Sequence, residues 1–131
     1  FNNELISTIE KKYNQKLNKN SRYFYGVSNG AGFGLSLLNN YPNTIGTYIC
    51  FSTAGGDTQT NNWKKNIEYP NLYLQYGSDE FFGLKEDAEF LKSKYKELNL
   101  FTEIKEFNGG HDYKIWNEEF TKTIAKLFKY E

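Results

Sequence analysis

Five residues, Gly26-Val27-Ser28-Asn29-Gly30, constrain this chain more than any other stretch, because of what flanks them. Before them, Tyr23-Phe24-Tyr25 has the aromatic make-up of a short strand; after them, Ala31 to Asn40 reads as a helix. A serine between two glycines on a strand-to-helix turn is lifted above the end of a sheet with its hydroxyl presented outward. Both glycines are expected because side chains flanking so sharp a turn would collide. On its own the five-residue pattern is weak. Its flanks, and the acid and histidine that follow it, make it specific.

The chain has one histidine, His111, in Gly109-Gly110-His111-Asp112. That loop falls between the strand-like Thr102–Phe107 and a helical run from about Lys114. The acid candidates, Asp79 and Glu80, lie in Tyr76-Gly77-Ser78-Asp79-Glu80 at the end of the strand-like Asn71–Tyr76. Serine, then acid, then histidine is one of the chain orders used by serine-dependent triads, here on three loops that each follow a strand. Sheets built of alternating strands and helices place their chemistry beyond the carboxyl ends of the strands.

The rest of the chain supports one such sheet. Asn3 to Leu17 repeats Leu5, Ile6, Ile9, Tyr13 and Leu17 at helical spacing. Ile45–Phe51 lacks polar alternation, as expected of a strand covered on both faces, whereas Thr102–Phe107 alternates and suits an edge. Glu86–Leu98 and the run through Ile115, Trp116, Phe120, Ile124 and Leu127 are amphipathic helices. Ser52 to Tyr69 is a long irregular connection of the kind that covers binding sites. Alternating helices and strands predict an α/β fold, with a mainly parallel sheet and helices on both faces, about four of each.

Balanced charge, 16 basic against 16 acidic residues, gives no electrostatic case for a nucleic-acid partner. No apolar run approaches the ~20 residues of a membrane span. Cofactors are not expected: Gly30-Ala31-Gly32-Phe33-Gly34 belongs to the turn and its helix, and one histidine with one cysteine makes no metal set. Cys50 reads as a small buried hydrophobe, and Trp63 and Trp116 as packing residues. Asp112, adjoining His111, reads as the N-cap of the last helix.

Together these residues resemble the esterase branch of the α/β-hydrolases, which includes esterase D-like, feruloyl and acetyl-xylan, and enterochelin (siderophore) esterases. Ile9-Glu10-Lys11-Lys12-Tyr13 is similar to the helix that precedes the family's nucleophile elbow. Tyr25 to Ala31 resembles the elbow itself, with Ala31 in place of its usual second glycine. Gly77-Ser78-Asp79-Glu80 resembles the acid loop, and Gly109-Gly110-His111-Asp112 followed by Trp116 the histidine loop. Aligned without gaps, the family's acid falls on Glu80, with Asp79 next to it.

The resemblance implies a carboxylic ester hydrolase working through an acyl-enzyme. Ser28 would be the nucleophile, His111 the base, Glu80 or Asp79 the triad acid, and the Asn29 N–H an oxyanion donor. Its substrates would be small-molecule or carbohydrate esters, most directly carbohydrate-linked, feruloyl or acetyl esters. The alternatives are a siderophore (enterochelin-like) esterase and a catalytically inactive binding module on the same scaffold. The resemblance also implies that residues 1–131 are the C-terminal part of a single domain. The elbow strand belongs in mid-sheet, so its free edge would be covered by N-terminal strands or by another chain.

Overall fold

The computed structural model describes residues 2–12, 18–55, 58–60 and 62–128. Tyr13 and Leu17 of the first predicted helix lie outside them. In chain order the elements are α1 (Asn2–Lys12), β1 (Tyr23–Val27), α2 (Asn29–Asn40), β2 (Thr47–Phe51), β3 (Asn71–Gly77), α3 (Phe82–Glu97), β4 (Thr102–Phe107) and α4 (Tyr113–Leu127). The four strands form one all-parallel sheet in the order β1-β2-β3-β4. This is the α/β architecture expected.

Strand periodicity divides the core in two. In β2, Tyr48 and Cys50 point to the face covered by α2 and α3, where they meet Leu35, Leu38, Leu91 and Tyr95. Ile49 and Phe51 point to the opposite face and join Phe107 and Trp116 beneath α4. Every residue of β2 is buried, so apolar side chains are favoured on both faces. That is why the strand shows no alternation. The Lys105–Glu119 ion pair, at 2.6 Å, ties β4 to α4. Burial opposes ionisation of Glu119, but hydrogen bonds from Lys105 and Lys122 prevail and hold its carboxyl below the usual range.

Among the described residues β1 pairs with β2 alone and forms one edge of the sheet. Its aromatic side chains are not bare, however. Tyr25 stacks on Phe120 with ring centroids 4.1 Å apart, and Tyr23 lies 4.9 Å from Phe128. Phe24 faces the other way and packs against Tyr48 and Gly34. At its outer end β1 is joined to α1 by Arg22, whose Nη2 donates to Glu10 Oε2 at 3.0 Å.

Several boundaries shift by one or two residues from the sequence reading, α2 beginning at Asn29 rather than Ala31 and β3 ending at Gly77 rather than Tyr76. β2 begins at Thr47 rather than Ile45, an ordinary difference of two residues. α3 begins at Phe82, four residues before Glu86, because the buried stripe Ala88–Leu91–Tyr95 continues back to the half-buried Leu84. The exposed pair Phe81-Phe82 and Gly83 masked that start in the sequence.

The elbow glycines also turn out unequal. A Cβ on Gly26 would lie 2.7–2.9 Å from the Gly30 carbonyl and Ala31 nitrogen, so the turn does require a glycine there. For Gly30 the expected crowding is absent: apart from its chain neighbours and its own helix backbone, no described atom comes within 4 Å of a Cβ at that position. The crowding falls instead on Gly32, whose Cβ would run into the Ala54 carbonyl oxygen. Gly32→Ala is therefore expected to cost about 1–3 kcal/mol, read as a lower urea midpoint. Gly30→Ala should be neutral or stabilising by up to ~1 kcal/mol. Equal midpoints for the two variants would contradict this division.

Candidate active site

The site sits at the carboxyl end of the sheet and starts from the backbone of Ser28. This residue follows the last residue of β1, donates its N–H to Phe51 O at 3.0 Å, and then turns with φ +55°. A non-glycine residue in that region costs on the order of 1–3 kcal/mol and persists only where its surroundings hold it. Here they do: the Ser28 carbonyl accepts from Gly32 N–H at 3.1 Å and from Ala54 N–H at 2.9 Å. Ser28 occupies the N-cap position of α2, where a serine usually turns its hydroxyl onto a first-turn amide. It makes no such bond. Its Oγ lies 3.0 Å from His111 Nε2 instead.

The other imidazole nitrogen, Nδ1, lies 2.5 Å from Glu80 Oε1. Glu80 is the acid that the fold brings to the histidine. Asp79 is exposed and is used through its backbone, its N–H donating to Gly109 O at 2.9 Å. That bond, with Ser78 N–H to Phe107 O at 2.9 Å, clamps the acid loop to the histidine loop. The turn between them directs residue 80 inward and residue 79 outward.

Burial differs sharply along the chain of three groups. The Glu80 side chain is 4% exposed and that of His111 51%. Glu80 Oε2 accepts from Gly77 N–H at 2.6 Å and from Ser52 Oγ at 2.7 Å, leaving Oε1 for the imidazole. A carboxylate only accepts, so the proton of this pair resides on Nδ1 and leaves Nε2 free to accept from the serine hydroxyl. The histidine ring packs edge-on against Trp116 at 4.7 Å. Asp112 caps α4 as expected, accepting from Lys114 N–H at 2.9 Å, and so contributes nothing to the imidazole. Asn29 opens α2, so its N–H belongs to a helical first turn, whose amides have no acceptor within the helix. Those amides and the positive end of the helix dipole favour an anion beside Ser28.

Ser52 was not singled out in the sequence, where it reads as the first residue of an irregular connection. The available signal was its position, immediately after a fully buried strand, where Ser28 also stands relative to β1. Trp116 does pack, as expected, but its Nε1 also donates to Ser52 Oγ at 2.8 Å. Trp63 belongs to the core, stacked edge-on at 4.8 Å from Tyr69, with its Nε1 donating to Thr58 O. No member of the site comes from it.

No protein-family model and no curated protein matches the chain. Solved structures do. A ferulic acid esterase superposes with a TM-score of 0.77 at 14% identity, covering 97% of this chain and 58% of its own. The carboxylesterase of Bacillus cereus gives 0.73 at 20% identity, covering 95% and 57%. The S-formylglutathione hydrolase FrmB of Staphylococcus aureus gives 0.73 at 12% identity, covering 93% and 57%. The chain thus has the α/β-hydrolase fold, and it spans a little under three-fifths of the length of these structures.

The chain's one thiol lies away from this site. Cys50 is fully buried in the middle of β2, and burial pushes its thiol up. A raised pKa disfavours the reactive thiolate, so iodoacetamide at mildly alkaline pH is expected to leave the native protein unmodified and to alkylate it only in denaturant. Rapid alkylation of the folded chain would show that β2 is not covered on both faces.

Proposed function

We propose that this chain carries the catalytic groups of a carboxylic ester hydrolase, with Ser28 as nucleophile, His111 as general base and acid, and Glu80 as the triad acid. The observation that supports it is the continuous line Ser28 Oγ–His111 Nε2–His111 Nδ1–Glu80 Oε1, at 3.0 and 2.5 Å, assembled from three separate loops. Ser28 Oγ attacks the ester carbonyl as its proton passes to Nε2. The oxyanion that forms lies against the Asn29 N–H at the start of α2. Nε2 then returns the proton to the departing alcohol, leaving Ser28 acylated. Water, activated by the same nitrogen, releases the acid and restores the serine. Throughout, Glu80 holds the tautomer and stabilises the imidazolium, while Asp79 has no part.

For the substrate we propose a carbohydrate-linked, feruloyl or acetyl ester, with a siderophore lactone as the alternative; the ferulic acid esterase among the similar structures supports the feruloyl reading. An inactive binding module is disfavoured because it has no need of three groups aligned at hydrogen-bond distance. In the working protein we place further strands on the open edge of β1, together with the loop that supplies a second oxyanion donor. The support is that edge and the span of this chain, 57–58% of the matched structures.

Treatment with a fluorophosphonate, followed by intact mass, is expected to give a single adduct that Ser28→Ala abolishes. Glu80→Gln should slow labelling on the order of 10³–10⁴-fold, as loss of a triad carboxylate does elsewhere. Asp79→Asn should leave the rate unchanged. An adduct that persists in Ser28→Ala, or equal effects of the two acid variants, would refute the assignment.

A further inference from the structure

Among the described residues, three other than glycine have positive φ: Ser28, Ser52 and Asn99. Asparagine tolerates that region. The two serines do not share that excuse, and they occupy matching places. Val27 and Phe51, the last residues of β1 and β2, are partners in the sheet register, so Ser28 and Ser52 step off adjacent strands side by side. Each extends the ladder by one bond before turning, Ser28 N–H to Phe51 O and Ser52 N–H to Gln75 O at 2.8 Å, and Ser52 then takes φ +51°. Glycine would adopt that φ without strain, and what it lacks is the hydroxyl.

The hydroxyl of Ser52 has a determined direction. The Trp116 indole N–H can only donate, so Ser52 Oγ accepts from it at 2.8 Å. The one proton of Ser52 is then left for Glu80 Oε2, 2.7 Å away. Ser52 is 0% exposed, Trp116 3% and the Glu80 side chain 4%, so water does not compete for any of the three groups. In such a site aligned hydrogen bonds polarise one another. Trp116 also places its ring edge-on to His111. It therefore braces the imidazole directly and the carboxylate through Ser52.

We propose that Ser52 is a positioning residue for Glu80: locked by Trp116, its hydroxyl fixes the rotation of the carboxylate so that Oε1 meets His111 Nδ1. Gly77 N–H donates to the same oxygen, Oε2, from the last residue of β3, the strand that leads into the Glu80 loop. Ser52, the residue after β2, and Trp116, in α4, tie the carboxylate to two further elements of the fold. This role rests on the triad reading above. A purely structural serine, present only to satisfy the buried indole, would leave the acid–histidine bond indifferent to its loss.

His111 is the only histidine in the 131 residues, so a downfield imidazole N–H resonance in the proton NMR spectrum belongs to it without further assignment. We expect that resonance in the unaltered protein, its disappearance in Glu80→Gln, and its broadening or displacement in Ser52→Ala. Fluorophosphonate labelling of Ser52→Ala should slow roughly 10- to 100-fold, the worth of one hydrogen bond to a charged group. In a Glu80→Gln background the same change should have no further effect. Trp116→Phe keeps a ring against His111 but removes the donor, and should give a smaller change in the same direction; it also carries the test if Ser52→Ala does not fold. An unchanged resonance and rate in Ser52→Ala, or an equal loss in both backgrounds, would overturn the proposal. The resonance does not require turnover. Absence of labelling in the unaltered protein would therefore count against the ester-hydrolase reading, while the spectrum still decides the role of Ser52.

Discussion

Four strands hydrogen-bonded in parallel must all finish on the same side of their sheet, and in this chain that side carries every group of the site. The register sets the details. Val27 opposite Phe51 puts Ser28 beside Ser52, and Gly77 opposite Phe107 brings the acid loop alongside the histidine loop. A slip of one residue in either pair would turn the inward side chains to the opposite face. The complete burial of β2 makes such a slip costly, since both of its faces are already filled with apolar side chains. The core thus protects the geometry of the site without contributing a reacting atom.

Within the site the fold separates rigidity from access. Glu80 is buried, and all its visible partners converge on a carboxylate that cannot turn without losing one of them. His111 is half in solvent, on a loop held by backbone bonds to its neighbour, with its outer nitrogen turned to Ser28. Ser28 lies between these regimes. Its backbone is held in an unfavourable conformation by three hydrogen bonds while its hydroxyl is withheld from the helix cap it would ordinarily make. Strain stored in the backbone and a side chain left unused locally have the same consequence: the hydroxyl is available to the imidazole.

Much of this was legible from residues in line. The strand–turn–helix around Ser28, the order of serine, acid and histidine, the uniform apolarity of Tyr48–Phe51 and the cap at Asp112 are local or periodic features, and such features survive projection onto a one-dimensional string. What was not legible depends on direction. Asp79 and Glu80 are adjacent carboxylates in one loop, and only the turn shows which of them faces inward. Gly30 and Gly32 stand two residues apart in α2, yet only Gly32 abuts another segment, at Ala54. Ser52 carries no motif at all, because its partners, Glu80 and Trp116, lie 28 and 64 residues away in the chain.

The sequence by itself therefore determined the class of fold, the identity of the nucleophile and base candidates, and the place of each on a loop after a strand. Periodicity and turn chemistry act between near neighbours, and near neighbours are written in order. The tertiary structure decided which acid meets the histidine, which glycine is indispensable, and which buried serine and tryptophan hold the carboxylate in place. Those choices rest on distances and hydrogen-bond directions between residues far apart in the chain, and they exist only once the parallel register has brought the strand ends together.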